Sequence, residues 1–288
     1  MAALDREQGT DLAAAGALWG GTVAVVTGAG SGLGAAFAEV ASSLGAEVAL
    51  ADVDEGRLDE VADRLARTGR RPRTKVVDVG RFEEVRAFAD ELVAGGVPIG
   101  LVVNNAGVEH VGLLWEEPPE AWHRVVGVNL HGVYHGVRAF VPHLVGQGHR
   151  SVVLNLASVG GLTTGAHHGA YEVTKHGVLV LSEALADGLR AIGAPVQVSV
   201  ALPGPVRTRI YDDANETTTA GSPTGERVAA MRRLLADEGM APAEAARTML
   251  AQAAAGAFWV TTHPPMLRAL AEQRAERLRE LASAVQLL

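Results

Sequence analysis

The chain of 288 residues contains no cysteine. Disulfides, thiolate metal sites and a cysteine nucleophile are therefore excluded, while the redox compartment is left open. No apolar run reaches the ~18 to 20 residues that a membrane helix requires. Positive charge is scarce: 25 Lys and Arg stand against 33 Asp and Glu, a formal net charge of −8, which argues against non-specific nucleic-acid binding. The first residues carry Asp5, Glu7 and Asp11 and lack the basic start and apolar centre of a secretory signal. These absences predict a soluble, cytoplasmic protein with neither a nucleic-acid nor a membrane partner.

Hydrophobic residues make up 48% and charged residues 20%, enough to build a folded core. Short apolar runs read as strands at Thr22–Thr27, Glu47–Ala51, Thr74–Val77, Leu101–Val103, Val152–Leu156 and Val196–Ala201, with a shorter one at Phe258–Thr261. Helical patterns lie between them, at about 32–44, 54–68, 81–94, 118–146, 170–193 and 242–255. Strands alternating with helices predict an α/β fold: a doubly wound, mostly parallel seven-stranded sheet with helices on both faces. Ligands of such sheets sit beyond the carboxyl ends of the strands. The polar, turn-rich stretch 211–226 reads as a mobile flap, set within about 205–228. Residues 264–288 read as an extra C-terminal helix with an apolar stripe at Leu267, Leu270, Leu278 and Leu281.

The first strand is followed by Thr27-Gly28-Ala29-Gly30-Ser31-Gly32-Leu33-Gly34. Glycines permit a tight turn and a close backbone approach, and a helix then begins with free N–H groups facing an anion. Leu33 breaks the G-x-G-x-x-G spacing. At the end of the second strand, Asp52 lies ~20 residues past the glycines, where a carboxylate accepts from a ribose hydroxyl and repels a 2′-phosphate. No Arg or Lys stands at 31, 51 or 53, so NAD is favoured over NADP. Asp52 or Asp54 could also cap the next helix, and that role is assigned to Asp54. Asp78-Val79 follow the third strand, where the carboxylate could meet an adenine amino group, cap a helix, or do both. Asn104-Asn105-Ala106-Gly107 follow the fourth and suit a wall along a cofactor.

The fifth strand ends in Ala157-Ser158, and Tyr171 and Lys175 follow at helical i, i+4 spacing. A phenol is a poor base near neutrality, and a neighbouring ammonium makes it a usable acid/base. Lysine is otherwise almost absent: Lys75 is the only other one, against 23 arginines. With three tyrosines in the chain, a chance Tyr-x-x-x-Lys is expected only ~0.02 times.

Taken together, these residues resemble the short-chain dehydrogenase/reductase family, in its single-domain Rossmann branch. The matching motifs are T-G-x-x-x-G-x-G at Thr27–Gly34, N-N-A-G at Asn104–Gly107, the set Asn129, Ser158, Tyr171 and Lys175, and Pro203-Gly204 followed by Val206 and Thr208. The resemblance spans about residues 20–262 and implies roles. Tyr171 exchanges a proton with the substrate oxygen, and Ser158 hydrogen-bonds that oxygen. Lys175 binds the nicotinamide ribose and lowers the Tyr171 pKa, while Asn129 holds a water leading from Lys175 to solvent. Gly28, Ser31, Gly32, Leu33, Gly34, Asp52, Asp78, Val79, Asn105, Ala106, Gly107 and the 203–208 loop hold the cofactor.

The ending Phe258-Trp259-Val260-Thr261-Thr262-His263-Pro264 resembles that of a bacterial subgroup with an aromatic-x-x-Thr-His-Pro segment. Residues 1–19 lie outside the family pattern and are expected to be a flexible extension or to pack on a neighbouring subunit, leaving 20–263 as one domain. Pairing through helices 118–146 and 170–193 predicts a homotetramer or dimer. His131 and His135 are spaced for chelation but have no third ligand, so no metal is expected.

Segments 108–115, 159–168 and 205–226 are expected to line the substrate pocket, with His110, Trp115, Gly160 and His168 facing it. The first segment is mostly apolar, and Arg207 and Arg209 are the only basic candidates in the third. The expected activity is hydride transfer between NAD and a neutral, fairly apolar secondary alcohol or ketone. Imine reduction, epimerisation or dehydration on the same fold, or non-catalytic nucleotide sensing, are the alternatives.

Overall fold

A computed structural model describes residues 12–212, 214 and 222–285. Its centre is a seven-stranded sheet in the order β3-β2-β1-β4-β5-β6-β7, with every neighbouring pair parallel. The strands are β1 (Val23–Thr27), β2 (Glu47–Asp52), β3 (Arg73–Val76), β4 (Ile99–Asn104), β5 (Ser151–Leu156), β6 (Val196–Leu202) and β7 (Trp259–Thr261). The central strands β1, β4 and β5 are buried throughout. Successive side chains point to opposite faces, so each face receives its own core. Ala24, Val26, Leu101, Val103, Val152 and Leu154 face one layer; Val23, Val25, Val102 and Val153 face the other. The edge strand β3 alternates between half-buried and exposed positions.

On the first face lie α1 (Ala13–Trp19), α2 (Gly32–Ser43), α3 (Glu55–Thr68) and α9 (Pro242–Ala254), through Trp19, Phe37, Leu58, Val61, Met249 and Leu250. On the second lie α4 (Phe82–Ala94), α6 (Gly132–Gly146) and α7 (Gly169–Ala191), through Phe88, Leu92, Phe140, Leu144 and Leu189. The direction of winding reverses between β1 and β4, and a crevice opens at their carboxyl ends.

Three departures from the sequence expectation have physical causes. Residues 13–19 are not a free extension, because α1 buries Ala15 and Trp19 in the same core as α2 and α9; residues 1–11 lie outside the described residues. The expected helix over 118–146 is divided into α5 (Pro119–Val126), a π-helical turn (Gly127–His131) and α6; the wider turn brings Asn129 to full burial. The expected flap contains α8 (Pro223–Asp237), which starts where Ser222 accepts from Gly225 N at 3.1 Å and Pro223 occupies the first turn. Of the flap, 213 and 215–221 lie outside the described residues.

The C-terminal helix α10 (Pro264–Val285) packs on its own domain through Leu267, beside Val178, Val200 and Leu202. Along its expected stripe, Leu278 is 53% exposed, and the Leu281 side chain lies outside the described residues.

Candidate active site

The glycine loop stands in the crevice between β1 and β4. Gly28 takes a φ of +62°, a left-handed conformation that favours glycine. A Cβ there would stand 2.6 Å from Ala106 Cα, and one on Gly34 would stand 2.0 Å from Gly28 O. The Asn105 side chain braces this contact, donating from Nδ2 to Thr27 O at 2.9 Å and Gly28 O at 3.1 Å. Thr27 Oγ1 in turn accepts from the N–H groups of Asn105 and Ala106. Asn105 Nδ2 is thus held by the loop backbone.

Ser31 begins α2 without a side-chain cap, so the first N–H groups of that helix stay directed outward. Thr208 stands over them, with Cγ2 3.2 Å from a Cβ built on Gly32. Leu33, Pro203, Gly204, Val206 and Thr208 all line one cavity.

Asp52 lies at the end of β2, where Oδ2 accepts from Gly30 N at 2.8 Å and Oδ1 from Asp54 N at 3.1 Å. The cap of α3 is Asp54, which accepts from Arg57 N at 3.0 Å. Asp78 does not cap α4: its Oδ1 closes a short turn on Gly80 N at 2.9 Å, and the N-cap position of α4 is Arg81. Val79 is buried against Gly132.

The four residues singled out for catalysis converge from β5, α7 and the π turn. A Cβ on Gly160 would stand 3.2 Å from the Tyr171 ring and 3.5 Å from Ser158 Oγ; one on Gly107 would stand 3.6 Å from Asn129 Oδ1 and 3.7 Å from Lys175 Nζ. Tyr171 and Lys175 share one face of α7, with Nζ 5.4 Å from the phenol ring centre. Lys175 is 4% exposed and donates to Leu156 O at 2.8 Å. Burial lowers its pKa to about 8, although the charge of Glu109 acts in the opposite direction.

Burial raises the Tyr171 phenol above its ordinary value; Glu109 and Glu172 add to the rise, and a hydrogen bond with Ser158 opposes it. Asn129 is fully buried, and its amide is paired in both directions with the Val108 backbone, accepting at 2.8 Å and donating at 2.9 Å. This side chain holds the segment that follows the cofactor wall.

Ser158, Gly160, Tyr171 and His168 line one cavity of about 480 Å³ with Glu109, Ile210, Tyr211, Arg227, Met231, Leu234 and Met266. Glu172, also on the rim, is satisfied by Thr163 Oγ1 at 2.7 Å and Gly165 N at 2.6 Å, and so ties the loop after β5 to α7. Two expected lining residues are elsewhere. Trp115 is 79% exposed, and neither it nor His110 is among the residues lining the cavity; the His110 N–H instead donates to Glu109 Oε1 at 3.0 Å.

Arg207 and Arg209 line a second cavity, of about 640 Å³, beside Gly30, Ser31 and Gly32. Arg227 of α8 lines the first cavity. The signal for α8 was present in the sequence as Ser-Pro followed by Val228, Met231, Leu234 and Leu235 at helical spacing, masked by the turn-rich residues before it. Among the described residues, no group of three His, Asp or Glu is placed to hold a metal ion, and no helix is long and apolar enough to cross a membrane.

The chain is similar to several known proteins. The probable oxidoreductase EphD of Mycobacterium tuberculosis is 36% identical over 193 residues, 67% of this chain but only 32% of EphD; the chain thus matches about a third of that relative's length. The putative oxidoreductase SadH of the same species is 34% identical over 67% of this chain and 70% of SadH. A crystal structure of a short-chain dehydrogenase/reductase from Burkholderia phymatum in complex with NAD is similar with a TM-score of 0.82 and 37% identity, over 93% of this chain and 96% of that one. The model of the short chain dehydrogenase family matches residues 22–219, and the chain belongs to that family.

Proposed function

We propose that the chain is an NAD-linked dehydrogenase or carbonyl reductase acting on a neutral secondary alcohol or ketone, with Tyr171 as the general acid/base. The observation that carries this reading is the convergence of Ser158, Tyr171 and a 4%-exposed Lys175 beside a glycine loop that has no room for side chains. The loop fits a dinucleotide: the uncapped N-terminus of α2 suits a phosphate, and Gly28 and Gly34, packed against Ala106, Asn105 and the loop's own backbone, hold the turn that presents it. When bound there, the nicotinamide cofactor supplies the hydride chemistry.

The protein's own part is orientation and proton management. Ser158 and Tyr171 hold the substrate oxygen between them; the Tyr171 phenol gives it a proton in reduction and is left as phenolate, and the phenolate takes that proton back in oxidation. Lys175, anchored on Leu156 O, sets the field at the phenol and reaches toward the ribose. Asp52, already accepting from Gly30 N, presents a negative charge where a 2′-phosphate would lie, which supports NAD over NADP. Arg207 and Arg209 give the phosphates a positive rim. The apolar walls, Ile210, Met231, Leu234 and Met266, support a largely apolar substrate body. Exposed Tyr134 on α6 and Val173 and Val180 on α7 support a homo-oligomer paired through these helices.

The test is a fluorescence titration with NADH and NADPH, followed by a screen of secondary alcohols with the cofactor that binds. Tight NADH and weak NADPH binding are expected. Tighter NADPH binding overturns the role of Asp52, and binding of neither overturns the dehydrogenase reading.

A further inference from the structure

On the wall of the same cavity stands a carboxylate that the mechanism above does not use. Glu109 is 2% exposed, and burial raises its pKa. Its Oε1 accepts from His110 N at 3.0 Å, and its Oε2 lies 3.6 Å from His168 Nδ1. His168 is the residue before the first turn of α7 and lines the cavity with Tyr171. At its other ring nitrogen, Nε2 accepts from Arg227 Nε at 3.4 Å.

These two contacts, at 3.6 Å and 3.4 Å both long for hydrogen bonds, favour the same tautomer. A donor from Arg227 requires a lone pair on Nε2, and the carboxylate on the other side requires the proton on Nδ1. Glu109 stands on the Nδ1 side of His168, the side from which a carboxylate orients a metal-binding or catalytic imidazole. The contact with Arg227 is long for a hydrogen bond, and Arg227 lies on the exposed side of α8, so a ligand can displace it at little cost.

We propose that Glu109 and His168 form a positioned pair that selects substrates carrying a second hydroxyl, with His168 as the specificity-determining residue and Glu109 as the positioning residue. A hydroxyl fits both neighbours, since it donates to Nε2 and accepts from the Arg227 guanidinium. A carboxylate cannot donate to Nε2 and faces the charge of Glu109. An ammonium can donate but meets the Arg227 charge. His168 directly precedes α7 and lines the same cavity as Tyr171, three residues further on. The second hydroxyl thus belongs a few carbons from the carbinol, on a body that is otherwise apolar. Other charged or titratable groups acting on Glu109 are Lys175, Tyr171 and Tyr211 within the cavity, Glu117 nearby, and Arg124, which donates to the Glu109 carbonyl at 3.5 Å.

This inference rests on the dehydrogenase reading, and the test separates the two. Nitrogen-15 NMR of the histidine rings in the full-length protein is expected to show His168, identified by its loss in His168→Ala, with its proton on Nδ1. In Glu109→Gln the proton is expected to move at least partly to Nε2. A wild-type ring protonated on Nε2 overturns the pair, whatever the enzyme does.

The second measurement compares kcat/KM for 1,3-cyclohexanediol, cyclohexanol and 4-hydroxycyclohexanecarboxylate. The diol is expected to exceed cyclohexanol by about tenfold, the effect of one further hydrogen bond. His168→Ala is expected to bring the ratio close to one, and Glu109→Gln to reduce it mainly through KM for the diol. Several results overturn the proposal: a ratio unchanged in His168→Ala, the carboxylate as best substrate, or oxidation of none of the three by a protein that binds NADH. A protein that binds neither NADH nor NADPH counts against the dehydrogenase reading instead, and the ring tautomer still decides the pair.

Discussion

Replacing Lys175 with methionine is expected to stabilise the fold while destroying function. The ammonium is 4% exposed, and burial lowers its pKa from 10.5 to about 8. At about 1.4 kcal/mol per pKa unit, keeping the charge in the folded state near neutrality costs about 3 kcal/mol. Methionine has a similar length, carries no charge and fills the same space. The lost hydrogen bond to Leu156 O returns about 1 kcal/mol of that gain. The net expectation for the apo protein at pH 7 is a stabilisation of about 2 kcal/mol.

The pH dependence gives this prediction its sign. Between pH 8 and pH 10.5 the unfolded lysine binds a proton that the folded one has released, so the Lys175 contribution makes wild-type stability rise with pH in that window. The advantage of Lys175→Met should therefore be largest at pH 7 and smaller at pH 10. Urea denaturation of both proteins at the two pH values reads this as a shift in midpoint at constant slope. A variant less stable than wild type at pH 7, or an advantage that fails to shrink at pH 10, refutes the reasoning. NADH affinity and turnover measured on the same preparations should fall together.

Two further predictions follow from the same geometry. Tyr171→Phe keeps the ring and removes the proton carrier, so turnover should fall by about 10²–10⁴-fold with NADH affinity changed little, as read by steady-state kinetics beside a fluorescence titration. Gly34→Ala places a methyl 2.0 Å from Gly28 O and 2.6 Å from Asn105 Nδ2; the loop must open, and loss of NADH binding should accompany a lower melting temperature in a thermal unfolding experiment.

The sequence by itself determined the sheet and its chemistry-bearing ends. Strands β1, β2, β4, β5 and β6 lie within two residues of their apolar runs, because a strand buried on both faces leaves an unbroken hydrophobic signature. The glycine loop and the Tyr171–Lys175 pair were legible for a related reason: close backbone approach and helical i, i+4 spacing are local properties, written in adjacent residues. Tertiary structure alone decided the rest.

The helix α1 is too short to be stable by itself, and the burial of Ala15 and Trp19 in the core it shares with α9 gives it a place. The polar residues preceding α8 masked its apolar stripe, and so the source of Arg227. Asn105 and Asn129, expected at the cofactor and at a water, turn their amides to backbone groups brought from Thr27, Gly28 and Val108. Trp115 faces outward although its segment borders the site. The buried charge of Glu109 acquires meaning only when α7 brings His168 to it, a contact between residues 59 apart that no local pattern records.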